Sequence, residues 1–490
     1  MKYINKDRLL SGRSGKIADN ILGVIHNQGE KLKCRSSKLK TVEQYLNNTI
    51  YDGLMDWDQA KCGEDFTPVK KRKPKIIYPF AEVFAERISS KIAGYSTFPK
   101  VKIEDDPESD YFLQLIVNGG FLKPRLLSAA KLLAVYNSVF VRFFFADGIL
   151  KIESHNSNYY YPEFSDSGML KSVEIKYVYD TGEVDNQGKQ IFKWYKLFLS
   201  ETVDIEYDNP VYNSNTQAEP EFKEVERNQH DLGFVQGEWL QVGESSTGID
   251  GDRDPFIFKI AGFIDSLNYN MSQTDQANEY GLEPQLILTG MDEDQVEGLI
   301  KSSAKAWTLG REGDAKYLEV AGNGIETAQK VSIDFYKKVQ DIARIVMLDP
   351  EKIVGSAQSA KAMEVLHGPM VELINEIRPW FEKGYVALVE KIMTVIVLLN
   401  NSGFQTQFIV PEGWTPASYA IKAIWPPIFE LTTQDKQQLV SMAIQTANAN
   451  LLSRDSAAKW LQNMGVDFGV EDWDLEQQKI NSQQRFNTFF

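Results

Sequence analysis

The stretch that most constrains this chain is residues 348–400, a turn-rich break, LDPEKIVGSAQS, running into about forty residues of strongly apolar helical pattern. In the first half Met363, Leu366, Met370, Leu373, Ile374 and Ile377 recur on one face of a 3.6-residue period. In the second half Phe381, Tyr385, Leu388, Val389, Ile392, Val395, Ile396 and Leu399 do the same. Pro369 and Pro379 lack an N–H and crowd the preceding turn, so the pattern predicts one long helix kinked near both. At about 1.5 Å per residue it would reach roughly 60 Å, a rod suited to an extended or oligomeric object. The stripe also fits the core helix of any large domain, so alone it names no function. Residues 386–399 hold Glu390 and Lys391 and fall short of the ~20 apolar residues a bilayer requires, so no membrane span is expected.

With 490 residues and 43% hydrophobic content the chain can build packed cores in several domains or in one elaborate subunit. Its first twenty residues contain no apolar run of the secretory type, so no leader is expected. Cys34 and Cys62 are too few for a disulfide framework or a cysteine zinc site, which fits assembly in a reducing cytoplasm. Fifty-three basic against 68 acidic residues give a net charge of −15, which argues against a clamp that neutralises many phosphates. A surface along which nucleic acid slides remains compatible with that charge.

Residues 1–120 read as mainly helical. A basic cluster, Lys70, Lys71, Arg72, Lys73 and Lys75, precedes a helical pattern through Ile76, Ile77, Phe80, Val83, Phe84, Ile88 and Ile92; it is either a solvated loop or a phosphate contact. A further helical passage from 107 to 132 is interrupted by Gly119, Gly120 and Pro124. Between 139 and 242 the pattern becomes antiparallel strands, with turn signals at Asp180-Thr181-Gly182 and Asn186-Gln187-Gly188. Tyr159, Tyr160, Tyr161, Trp194 and Tyr195 in this region suit either packing or a carbohydrate platform. Helices are expected over 252–278 and 327–347, flanking a small mixed module with strands PQLILTG and AKYLEV. Strands are expected at 404–410 and 421–429. Thr432 with Asp435 forms a capping box for one C-terminal helix, and Ser453 caps another.

Chemistry is sparse. The four histidines, His26, His155, His230 and His367, lack partners at metal-ligand spacing. Gly12-Arg13-Ser14-Gly15-Lys16 lacks the spacing of a phosphate loop. No catalytic residues, cofactor or metal site are expected, although glycosidase carboxylates can lie anywhere in a chain.

The order of segments resembles the portal, or head-to-tail connector, proteins of tailed bacteriophages. The passage IDSLNYNMSQTDQANEYGLEPQLILTG is similar to the family's first stem helix leading to its clip, with Asp265, Asn268 or Asn270, and Ser272 at the typical polar positions. IARIVMLDPEKIVGSAQSAKAM resembles the second stem helix, tunnel loop and start of the long helix, and IWPPIFELTTQDKQQLVSMAIQTANANLLSRDSAAKWL resembles the closing pattern. Gly251-Asp252-Arg253-Asp254-Pro255 replaces the family's usual start of the first stem helix.

The resemblance implies an α+β portal subunit: an N-terminal wing at 1–251, first stem helix at 252–280, clip at 281–326, second stem helix at 327–347, tunnel loop at 348–359, long helix and wing strands at 360–430, and crown at 431–490. It implies a ring of twelve copies at one capsid vertex of the virion, assembled in the host cytoplasm. Double-stranded DNA would pass through without sequence specificity, with major capsid protein, scaffold, terminase and adaptor or tail proteins as partners. The tunnel loop would carry Asp349, Pro350, Lys352, Gly355, Ser356, Gln358 and Ser359. Lys330, Lys337, Lys338 and Arg344 are the candidate channel cations, exposed solubilising charges being their alternative. The competing reading is another virion assembly or surface protein, or a carbohydrate-active enzyme using the aromatic strands.

Overall fold

The computed structural model describes residues 31–57, 67–104, 106–154, 156–165, 168–212, 219–243, 255–282, 285–289, 314–318, 322–345, 360–411, 414, 420–429, 431–449, 451–464, 466 and 478–479. The described residues are mixed, about 50% helical and 23% strand, consistent with the α+β class.

In chain order the elements are α1 (Lys31–Leu46), β1 (Met55–Asp56), β2 (Arg72–Lys73), α2 (Phe80–Ala93), β3 (Lys100–Ile103), α3 (Pro107–Gly119) and α4 (Leu122–Tyr136). The strand region follows: β4 (Ser138–Ala146), β5 (Ile149–Ser154), β6 (Tyr160–Phe164), β7 (Leu170–Val184), β8 (Gln190–Ser200), β9 (Val203–Tyr207), β10 (Val211–Tyr212), β11 (Glu224–Gln229) and β12 (Gly237–Gln241). Then come α5 (Ile257–Leu282), β13 (Gln285–Thr289), β14 (Asp314–Leu318), α6 (Gly322–Ala343), α7 (Ala360–Leu366), α8 (Gly368–Asn401), β15 (Ile421–Ile424), α9 (Thr433–Asn448) and α10 (Arg454–Asn463). They fall into two compact units, Met1–Lys31 with Glu43–Phe80 and Phe258–Ala343, and Leu32–Val42 with Ala81–Ile257 and Arg344–Phe490.

The second unit is built on α8. From Met370 onward the predicted apolar face is the buried one, with Met370, Ile374, Ile377, Phe381, Tyr385, Leu388, Ile392 and Ile396 in the core, whereas Leu366, expected on the same face, is exposed. By length and composition alone this helix could cross a membrane, but half of its most apolar window is buried within the fold. The expectation of one continuous bent helix is corrected. The helix breaks at His367, whose dihedrals (φ −98°, ψ 18°) are not helical, and Pro369 falls in the first turn of α8. There its missing N–H is one that no helix satisfies, so the proline starts a helix rather than kinking one. Pro379 does lie inside α8.

Two antiparallel sheets belong to the same unit, β12-β4-β5 and the six-stranded β11-β9-β8-β7-β6 with β10 on β8. Lys391 of α8 donates to Glu238 at 2.6 Å and to the Gly237 carbonyl at 2.9 Å, pinning β12. The Asp180-Thr181-Gly182 signal is not a turn between strands but an irregularity inside β7, with the register shifting between Asp180 and Val184. Asp180 accepts from the Gly182 N–H, and Thr181 donates across to the Ile191 carbonyl, so the local bend keeps its cross-strand tie. The second signal is the β7–β8 hairpin turn, where Asp185 accepts from the Gln187 and Lys189 amides and Gly188 takes φ +77°.

The strand expected at 404–410 does not form. Gln407 instead gives its N–H to the Gly148 carbonyl and its amide side chain to the Gly119 carbonyl, so tertiary anchoring overrides β propensity. At 421–429 only β15 is strand, paired antiparallel with β3, before Pro426 and Pro427. The capping box at Thr432 and Asp435 is present, and Ser453 accepts from the Ser456 amide.

Candidate functional site

The first unit contains the helix α6 that carries the predicted cations. Among its described side chains, Val339 and Ala343 are buried, and Phe335 lies edge-on to Phe263 of α5, ring centroids 6.5 Å apart. At 100° per residue the opposite face carries Glu326, Lys330, Lys337 and Asp341, all exposed. Lys330 lies 3.8 Å from Glu326 and Lys338 2.8 Å from Asp334, both one turn apart. These exposed pairs add little stability, but each offsets a positive charge locally. Among the described residues Lys337 makes no ion pair, which leaves it as the uncompensated lysine of the three.

Arg344 is a correction. The helix expected over 327–347 spans Gly322–Ala343, and Arg344 takes a left-handed φ of +52°, just beyond its last residue. A non-glycine residue in that region stops the helical ladder. Its guanidinium lies 3.5 Å from Glu376 of α8. Asp349, Pro350, Lys352, Gly355, Ser356, Gln358 and Ser359 lie outside the described residues, as do Gly12 to Lys16.

Helix α5 presents a polar face that the sequence only partly announced. Asp265, Asn268 and Ser272 are buried, whereas Asn270 is only partly so. Asp265 accepts from Tyr45 at 3.0 Å and Tyr51 at 2.5 Å; Asn268 donates to Tyr51 and accepts the Tyr78 N–H at 2.9 Å; Ser272 accepts the Ile76 N–H at 2.9 Å. Desolvation raises the carboxyl of Asp265 above its ordinary range, and the two tyrosine hydroxyls pull the other way. Both tyrosines are pushed up, first by their own burial and then by that carboxylate. No local pattern marks Tyr45 and Tyr51, which lie more than 200 residues away in sequence.

The basic cluster is largely committed to structure. Arg72 is buried, with its guanidinium over the Trp57 ring and its Nε donating to the Thr67 carbonyl. Lys73 pairs with Asp52 at 2.8 Å, and Lys75 pairs with Glu279 and, at 3.1 Å, with Asp275. Lys70 and Lys71 are exposed.

The aromatic strands favour packing over a sugar platform. Tyr160 is fully buried in a core with Phe140 and Trp239, Tyr195 packs on Tyr177 at 5.1 Å, and Trp194 is edge-on to Tyr212 and Phe222. Among the described residues no group of three or more His, Cys, Asp or Glu could hold a metal ion.

A family model described as "Phage portal protein, SPP1 Gp6-like" matches residues 33–483. No individual curated protein matches the chain.

Proposed function

The chain belongs to the phage portal family, a family of structural, non-enzymatic virion proteins, and from that premise we propose that it forms the ring at one capsid vertex through which double-stranded DNA enters during packaging and leaves during ejection. The match over residues 33–483 is the observation that carries this reading. The family implies a ring oligomer with capsid, terminase and tail partners in general. We read α5 and α6 as the two stem helices, the paired strands β13 and β14 as part of the clip, residues 348–359 as the tunnel loop, α8 with the antiparallel sheets as the wing, and α9 with α10 as the crown.

Head-to-tail contacts between copies close a ring without free edges, about twelve copies being the proposed number. In that ring, Lys337 is the foremost cation toward the passage, with Lys330 and Lys338 softened by their acidic neighbours. An acidic subunit with a few local cations suits a conduit, which must let DNA slide, better than a clamp. Terminase and adaptor or tail proteins would dock on the ring, and scaffold and major capsid protein would surround it during assembly in the host cytoplasm. Native mass spectrometry with negative-stain microscopy tests the reading: rings of about twelve with a central hole support it. Failure to form rings even with scaffold and capsid protein present overturns it.

A further inference from the structure

Residues 75–78 lie along α5 in register with it. The Tyr78 N–H meets Asn268 and the Ile76 N–H meets Ser272, one helical turn further on. Two residues of extended chain span about 6.6 Å and one turn of four residues about 6 Å, so alternate amides of the strap fit side chains one turn apart. Beyond them Lys75 closes on Asp275 and Glu279, so the strap runs antiparallel to the helix. Tyr269 adds its hydroxyl to the Arg72 carbonyl at 2.9 Å and the Lys70 carbonyl at 3.1 Å. With its amide so held, Tyr78 turns its ring onto α6: it meets Tyr336 edge-on, centroids 5.8 Å apart at 89°, with the two hydroxyl oxygens 3.4 Å apart.

We propose that Tyr78 is a positioning residue for the charged face of α6. Held to α5 through its backbone and to α6 through its ring, it sets the rotation of α6 about its own axis, and so the direction in which Lys337, the residue after Tyr336, points. The inference rests on the portal reading for the importance of that direction, but the contact itself is independent of it. A helix rotated by one residue swings its side chains through about 100°, enough to replace an outward lysine by a neighbour.

The test uses the full-length protein assembled as rings. Hydrogen exchange of the α6 amides is compared in wild type, Tyr78→Phe, Tyr78→Ala and, should Tyr78→Ala fail to assemble, Tyr336→Leu, which removes the same contact from the other side. The alanine or leucine variant should raise exchange in residues 327–343 about fivefold, the scale of one aromatic edge-to-face contact, while Tyr78→Phe stays near wild type. DNA retention is then measured in Tyr78→Ala (or Tyr336→Leu), Lys337→Gln and the double variant. If the tyrosine contact acts through Lys337, the double variant loses less than the product of the single losses. Unchanged α6 exchange, or fully multiplicative losses, overturns the positioning role. Wild-type retention in Lys337→Gln instead overturns the assignment of Lys337 to the passage, a failure of the portal reading's detail that exchange data separate from the first.

Discussion

The hydroxyl of Tyr51 lies 2.5 Å from Oδ1 of Asp265, and that of Tyr45 lies 3.0 Å from Oδ2, so one buried carboxylate receives two donors from the N-terminal part of the chain. Asp265→Ala strands both hydroxyls and is expected to lower stability by about 2–4 kcal/mol. Asp265→Asn, which still accepts, should stay within about 1 kcal/mol of wild type.

The same carboxyl sets a pH dependence. Its proton is held more tightly in the folded state, so its contribution to stability is greatest below the unfolded value of about 3.9 and declines as pH rises through the raised folded value. Asp265→Asn removes that decline. The difference in melting temperature, variant minus wild type, should therefore be more positive at pH 7.5 than at pH 4; an offset constant across pH would refute the assignment.

His367 behaves with the opposite sign. Burial, then Lys91 and Arg87, depress its pKa, and neither ring nitrogen finds a hydrogen bond among the described residues. The stability tied to its neutral form is present above the unfolded value of about 6.5 and is lost as pH falls through it. Wild type should lose more stability between pH 7.5 and 5.5 than His367→Phe, which keeps an aromatic ring against Phe429. Equal losses in thermal melts would remove His367 from this role.

Gly384 sits where a Cβ would come within 2.6 Å of Leu240 Cγ. Leu240 is itself buried, so it has little room to yield, and Gly384→Ala is expected to cost about 1–3 kcal/mol by overpacking α8 against β12. Denaturant unfolding of the variant measures it directly.

Lys337→Gln should reduce nuclease-protected DNA per particle while rings form normally, and Lys338→Gln should do so less, because Asp334 already offsets that charge. Equal effects would mean that local pairing does not grade the cations.

Much of this was legible in the sequence because it is periodic or local. The buried face of α8, the strand blocks and the Thr432–Asp435 cap rest on spacings of two, three or four residues. What escaped was long-range. Residues 404–410 have strand composition, yet Gly119 and Gly148 claim their hydrogen bonds. Lys73 and Lys75 resemble a free cationic patch until Asp52, Asp275 and Glu279 are folded beside them. Of the candidate site, the α6 lysines are visible as charges on a helix, whereas their unequal compensation and the end of the helix before Arg344 depend on the folded side chains and backbone around them.

The break at His367 has a mechanical meaning. Its N–H donates to Met363 on one side and its carbonyl accepts from Met370 and Val371 on the other, so the main chain changes course there with its hydrogen bonds kept. The seven-residue α7 is far shorter than the ~12–15 residues a helix needs to hold itself in water. Its heading is thus governed by a single pair of backbone dihedrals, with α8 as the fixed bearing.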